Sequence, residues 1–480
     1  MCGYVAPFKI LQAKKSLLSH ISSVNKQRGK NMSRMFGKDG IRGMAITEFS
    51  CEFAMQTGRA AVSLMVGKNV KKPRIVVGRD TRNSGDALEA ALCAGICSAG
   101  ADCDVLGVVP APAVAWYTKV SGACGGIMIT ASHVSAEFNG VKMYSSLGHR
   151  LSDNDENKIE HLIYRTPDEL TPIERRMYGR IYRPENIKEQ YIEHIREAVP
   201  VSLEGMKVAL DCSNGSAADT AIRLFREAGA EIVIMAGAPD GVNINRDCGS
   251  MHIDSLTSFV KENGCICGLA FDGAGERCLA VDEQGVLVDG DVILALCARD
   301  MKEKNLLNHN KLVISPANNL GLLQFARSND ISIANSPSGE KRMIRKMLDG
   351  SFSIGGEPSG QLLFPEYAPS VDGQLTGLKL LDIISRSGKP LSKLSAVVEK
   401  CPQVMLNVPI QNHDREIWKN NNAITGLIDE FEEILGEEGR VIVREAGKEP
   451  VIRIMIEGKD FSTINTMALQ IADVIKEELS

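Results

Sequence analysis

The sequence lacks several things that would have fixed its class at once. No apolar run comes near the roughly 18 residues that cross a bilayer, so a membrane span is excluded. There is no C-x-x-C pair among 13 cysteines, and only Cys265 and Cys267 lie within two residues of each other. An odd, scattered set fits neither a zinc knuckle nor a disulfide framework; it reads as reduced thiols in a cytoplasmic protein. Long blocks of one charge sign are also missing. Lys+Arg number 55 against 60 Asp+Glu, a formal −5, so the chain carries no electrostatic footprint for nucleic acid. Any anion it binds must be held in a local pocket.

What is present is a globular chain of 480 residues, 44% of them hydrophobic. That excludes disorder and coiled coil and predicts three or four domains, each with its own core. Residues 1–31 stand apart: they hold no Asp or Glu but do hold Lys9, Lys14, Lys15, Lys26, Arg28 and Lys30. They lack the Arg-richness of a transit peptide and the apolar stretch of a signal peptide. They read as a flexible extension upstream of a natural start at Met32.

One order of elements recurs three times. A β-branched run opens each copy: PRIVVGRD (73–80), MKVALDCSNG (206–215) and NKLVISPANN (310–319). Short, apolar and turn-terminated, these read as buried parallel strands. Helices follow at 87–100, 219–229 and 319–328, with Gly100 and Gly229 where a helix C-terminus wants a left-handed residue. A second strand comes next, and a third ends each copy: GGIMIT (125–130), CGLAF (267–271) and FSIGG (352–356). Open α/β sheets bind ligands beyond the carboxyl ends of their strands, which directs attention to TASHVS, DGAGER and GEPSG. After about residue 400 the pattern becomes α+β: strands at 403–410, 440–445 and 450–458 alternate as half-buried antiparallel ones do, with helical stretches between and after. The predicted architecture is three similar mixed/parallel-sheet α/β domains (32–188, 189–285, 286–398) and a C-terminal α+β domain (399–480) around a central cleft.

Four loops carry candidate chemistry. Ser132, beside His133 and shortly before Asn139, Gly140 and Lys142, has a hydroxyl that can carry phosphate given a neighbouring cation and an acid/base. Asp272 and Glu276, with Arg277, present oxygens suited to a hard divalent cation. Glu357 and Ser359 offer a carboxylate and a hydroxyl for the vicinal hydroxyls of a sugar. Arg444, Gly447, Lys448 and Arg453 form a phosphate cradle. Taken singly, each also fits an ordinary turn or solvated surface.

Together, and in this order, the loops resemble the α-D-phosphohexomutase superfamily from Met32 to the C-terminus. FGKDGIRG (36–43), GRDTRNSG (78–85), the TASH loop, DCSNGSA, DGVNINRDCGSMH (240–252) and KPLSKL are similar to its phosphoglucosamine mutase branch. The resemblance implies a cytoplasmic isomerase converting glucosamine 6-phosphate to glucosamine 1-phosphate for cell-wall precursors, as a monomer or homodimer. Ser132 would be a phosphoserine and Mg2+ would lie between it, Asp272 and Glu276. A hexose or hexosamine 1,6-bisphosphate would serve as activator. Lys142 and Arg277 would assist proton transfer and charge stabilisation, with His133 beside them and Arg42 adding positive charge near the reacting phosphate. Glu357 and Ser359 would hold the sugar, and Arg444, Gly447, Lys448 and Arg453 the other phosphate.

The departures from the family pattern fall on the same loops. DGDGDR becomes DGAGER, with Ala274 and Glu276; Val134 and Ser135 replace Asn-Pro; Gln361 replaces a His; Ala446 and Lys448 replace Ser and Thr. Loss of one carboxylate and lengthening of another predict weak Mg2+ affinity. Two readings follow: a phosphoglucosamine mutase-type enzyme, impaired by these changes, or a non-catalytic relative that binds phosphosugar or an active mutase and regulates the pathway.

Overall fold

In a computed structural model of the chain, residues 35–37, 40–67, 70–164, 178–411, 417–445 and 450–479 are described. The extension 1–31, and Gly447 and Lys448 of the cradle, lie outside the described residues.

The three repeats build three sheets by one plan. In the first, Arg74–Arg79 lies between Asp102–Val108 and Gly125–Ile129, parallel to both. Lys207–Asp211 lies likewise between Glu231–Met235 and Cys267–Phe271, and Lys311–Ile314 between Ser332–Asn335 and Gly355–Gly356. Every third strand then turns back antiparallel, into Phe138–Ser145, Cys278–Asp282 and Leu362–Leu363. The sheets are therefore mixed, and each candidate loop is the tip of a hairpin at the carboxyl edge of the parallel strands. The third copy differs from the expected FSIGG strand. Only Gly355–Gly356 pairs, while Ser353 upstream accepts the Asn308 amide at 2.9 Å.

The helices bury their apolar faces between these sheets. Val76 and Trp116 of the first repeat, Leu210 and Phe271 of the second, and Leu312 and Ile354 of the third belong to one continuous cluster. The helix Gly373–Ser387 contributes Leu375, Leu378 and Leu381 to it. That helix starts at Asp372, which accepts the amides of Gln374 and Leu375, both at 3.0 Å, an N-cap typically worth about 1 kcal/mol. Shared burial fixes three of the four loops relative to one another.

The C-terminal segment has its own cluster, around Ile454, Ile456, Ile464 and Ile471. Its strands run antiparallel in the order Gln403–Pro409, Val451–Glu457, Arg440–Glu445. The segment is tied to the third repeat by polar groups. Buried Glu457 accepts the Leu320 amide and the Asn319 side chain, each at 3.0 Å, and Arg440 Nε at 2.6 Å. A carboxylate at the N-terminus of Leu320–Ser328 is favoured by the helix dipole.

Candidate active site

Ser132 stands just past the strand Gly125–Ile129, with φ +57°. A non-glycine residue in that region costs about 1–3 kcal/mol and persists only where its surroundings hold it. Here they do. The Ser132 amide donates to Thr130 Oγ1 at 2.8 Å, and Thr130 Oγ1 donates to Asp80 at 2.6 Å. The Ser132 carbonyl accepts from Asn245 Nδ2 at 2.9 Å and Arg82 Nη2 at 3.3 Å. Arg82, fully buried, pairs with Asp80 at 2.9 Å. The turn thus aims the hydroxyl outward from its own strand.

It aims at the second repeat. Ser132 Oγ donates to Asp272 Oδ2 at 2.6 Å and lies 3.3 Å from Glu276 Oε2, across 140 and 144 residues of chain. Lys142 Nζ donates to the same Glu276 Oε2. Ser132, Lys142, Asp272 and Glu276 are all buried, at 1%, 1%, 0% and 1% exposure. This close approach requires Gly273, since a Cβ there would sit 2.7 Å from the Ser132 carbonyl oxygen. Asp272 also accepts the Glu276 and Arg277 amides at 2.7 and 3.0 Å. Burial pushes its carboxyl up, but Arg277 and Lys142, the Ser132 hydroxyl and the Arg277 amide together hold it below the usual carboxylate range.

Arg42, on Gly40–Met44, pairs in register with Gly140. Paired residues and those two apart share a face of a sheet, so Arg42 and Lys142 lie on one face. His133 is half-buried beside Ser132, and Arg277 donates to Met251 Sδ at 3.3 Å. In the third loop, Glu357 is buried and accepts the Gly339 amide at 2.9 Å. The Ser359 hydroxyl is buried and makes no hydrogen bond. This loop docks on the second through Cys278 N to Gly360 O, 3.0 Å. Gly360 has φ +84°, and a Cβ there would lie 2.4 Å from the Cys278 carbonyl oxygen.

Arg444 and Arg453 face each other on adjacent strands. Partial burial and the neighbouring charge of Arg453 hold Arg444 below the usual arginine range, while Glu357 pulls it the other way. The C-terminal arginine and the third-loop carboxylate therefore sit within electrostatic reach. A separate cavity of about 280 Å3, lined by Val199, Cys297, Lys304, Lys379 and Arg386 among others, includes none of these loop residues.

Three features of the site carry no local mark in the sequence. Asp80, Arg82 and Asn245 lie within the quoted motifs, yet nothing local marks them as the brace of the serine turn. Beneath the site Arg150 meets Glu340 at 3.6 Å, and Lys341 meets Asp153 and Glu156 at 3.1 and 2.5 Å.

The carboxylate loop can be tested against Mg2+ by its donors. Two acidic side chains converge; Ala274, the third position, contributes a fully buried methyl group. Its carbonyl is already bonded by the Ala111 amide at 2.9 Å. One Glu276 oxygen is held by an ammonium group, and the other, Oε1, is buried without a hydrogen bond. Among the described residues no group of three His, Cys, Asp or Glu side chains is placed to hold a metal. A site that wants near-octahedral oxygen ligation is not met by this set.

A strained buried serine facing carboxylates of another repeat, a buried cation beside them and paired arginines on a terminal module make up a four-part site. Known proteins agree. Four family patterns match in order: phosphoglucomutase/phosphomannomutase alpha/beta/alpha domain I over residues 33–169, domain II over 189–285, domain III over 289–401, and the C-terminal domain over 405–474. The phosphoglucosamine mutase of Clostridium acetobutylicum is 40% identical over 447 residues, covering 93% of this chain and all of that protein. That of Acetivibrio thermocellus is 41% identical, with 93% and 100% covered. Among solved structures, a phosphoglucomutase/phosphomannomutase family protein from Burkholderia thailandensis superposes with a TM-score of 0.77 at 23% identity, covering 92% of this chain and 98% of that one. The Aspergillus fumigatus N-acetylphosphoglucosamine mutase, solved with GlcNAc-6P and magnesium, gives 0.63 at 17% identity, with 96% and 98% covered. The chain belongs to the phosphoglucomutase/phosphomannomutase family, the α-D-phosphohexomutases. Among the described residues no helix is long and apolar enough to cross a membrane.

Proposed function

We propose that the chain interconverts glucosamine 6-phosphate and glucosamine 1-phosphate through a phosphoserine at Ser132 and a 1,6-bisphosphate that turns end for end. The observation that carries this reading is the Ser132 hydroxyl, presented on a braced, strained turn to Asp272 and Glu276 of another repeat. In the first half-reaction a sugar hydroxyl oxygen bonds to phosphorus as the Oγ–P bond of Ser132 breaks. The hydroxyl proton passes to a basic side chain, and Ser132 Oγ takes the bonding electrons. In the second, once the bisphosphate has turned, Ser132 Oγ gives up its proton and bonds to the other phosphorus as that phosphorus leaves its sugar oxygen, which keeps the bonding electrons and regains a proton.

Lys142 and Arg277 meet the charge on the transferring group and assist proton movement, with His133 at hand; Arg42, on the face of Lys142, adds positive potential. Glu357 and Ser359 bind sugar hydroxyls. Arg444 and Arg453, with Gly447 and Lys448, hold the phosphate that is not reacting. The carboxylate loop does not fit Mg2+, so no step is routed through it.

The test is turnover of glucosamine 6-phosphate with catalytic glucose 1,6-bisphosphate, followed by phosphorus NMR. Slow formation of glucosamine 1-phosphate, abolished by Ser132→Ala, is expected. Phosphosugar binding without turnover of any hexose or hexosamine phosphate overturns the enzyme reading and leaves a regulatory, binding relative.

A further inference from the structure

We infer that in this chain the ammonium group of Lys142 is the resident cation of the serine site, in the role for which the family's carboxylate loop gathers a divalent metal. This rests on the reading of Ser132 as a phosphoserine. The geometry has three parts. Lys142 Nζ and Ser132 Oγ meet on one oxygen, Glu276 Oε2, so the ammonium group stands beside the hydroxyl that would carry phosphate. Glu276 is one methylene longer than aspartate, and its carboxylate reaches Lys142 from the loop while Asp272 keeps the serine. Ala274 has withdrawn the third carboxylate and turned that corner of the loop into packing, with its methyl in the apolar cluster.

The charges agree with the geometry. Asp272 and Glu276 supply two negative charges; Lys142 and Arg277 supply two positive ones. With Arg42 adding positive potential on the face of Lys142, the site needs no further cation while Ser132 bears a hydroxyl. A divalent ion would have to displace Lys142 from Glu276 and would find two carboxylates instead of three. Both the removed ligand and the occupied one act against it. A phosphoryl group on Ser132 brings about −1.5 to −2 charge, and Lys142 lies close enough to move from Glu276 to that group as a charge-assisted donor.

The experiment uses the full chain and Mn2+ as the probe, with free Mn2+ read by electron paramagnetic resonance. It is run on untreated protein and on protein incubated with glucose 1,6-bisphosphate. In parallel, intact mass reports phosphate on Ser132 after incubation with the bisphosphate in EDTA or in Mg2+. The expected result is no loss of the free Mn2+ signal with the wild-type chain and equal Ser132 phosphorylation in EDTA and Mg2+. The variant carrying Ala274→Asp and Glu276→Asp is expected to take up Mn2+. Stoichiometric Mn2+ uptake by the wild type, or phosphorylation that EDTA abolishes and Mg2+ restores, overturns the inference. If Ser132 gains no phosphate in either condition the phosphoserine reading fails, and Mn2+ uptake by the wild type still decides the cation's identity. Should the double variant fail to fold, the wild-type measurements decide alone.

Discussion

Asn245 holds Ser132 and the carboxylate loop with one side chain: its Nδ2 donates to the Ser132 carbonyl at 2.9 Å, and its Oδ1 accepts the Gly273 amide at 2.9 Å. Both bonds are buried, and they come from opposite ends of one amide group. The residue touches no reacting atom, yet it sets the distance between the hydroxyl and Asp272. Asn245→Ala is expected to lower kcat about 100-fold, since misplacement by about an ångström can cost that much. KM should change little. Steady-state kinetics checks it, and Ser132 phosphate occupancy by intact mass should fall in parallel. An unchanged kcat would mean that Asp80 and Arg82 brace the turn without help.

Arg444 lies on a separately cored segment, and under the proposed function its work is to bind phosphate. Arg444→Gln removes a charge-assisted donor worth roughly 1.5–3 kcal/mol. The expected result is a KM for the sugar phosphate raised about 10- to 100-fold with kcat changed much less. Arg444→Lys keeps the charge but loses the planar fork and should fall between. Equal loss in kcat and kcat/KM would instead assign Arg444 to the transition state.

The sequence disclosed the sheets well because the parallel strands are short apolar runs ended by turns, and the first helices of the first two repeats are followed by the left-handed glycines Gly100 and Gly229. It also singled out Ser132, Asp272 and Glu276, which sit on tips where such folds place chemistry. The contacts that make those residues a site were not legible. Ser132 and Asp272 lie 140 residues apart, and Asn245 and Ser132 lie 113 apart; no periodicity encodes such a meeting. The strand Gly355–Gly356 is shorter than FSIGG predicts by its strand composition, because Ser353 turns to the Asn308 amide. The capture of Glu276 by Lys142 was equally hidden, since a glutamate in an acidic loop reads as a metal ligand until its partner is seen.

Three buried carboxyls give the fold a pH dependence of definite sign. Burial pushes Asp211, Asp291 and Asp372 up to about 6 from an ordinary 3.8. Between those values the folded chain binds more protons than the unfolded one, so stability falls as pH rises through the window. Asp272, held low, acts below its ordinary value and thus outside that window. Asp372→Asn can still accept the Gln374 and Leu375 amides through one oxygen, while its amide group faces the Tyr191 hydroxyl, which can accept. Thermal unfolding from pH 4 to pH 6 should show a shallower fall in Tm for this variant than for the wild type. Parallel curves would mean that Asp372 titrates alike in both states.

The pair under the site is the most exposed to loss of one partner. Arg150 and Glu340 join the first and third repeats at 3.6 Å, and both side chains are nearly inaccessible, at 2% and 7%. Burial pushes Glu340 up, Arg150 pulls it down and Glu276 pushes it up again; the net direction is upward. Arg150 Nε and Nη2 are buried with no hydrogen bond among the described residues, and burial works against the guanidinium, with Glu340 the foremost of the charges that favour it, ahead of Glu276 and Glu156. Glu340→Gln would take away the foremost partner of that charge, at a cost of up to about 3–5 kcal/mol, read as a lower urea midpoint at unchanged slope. Replacing both residues, Arg150→Met with Glu340→Gln, should recover most of the loss, because the charge leaves with its partner. If the double variant is no more stable than the single one, the two residues support the floor of the site through packing and not as an ion pair.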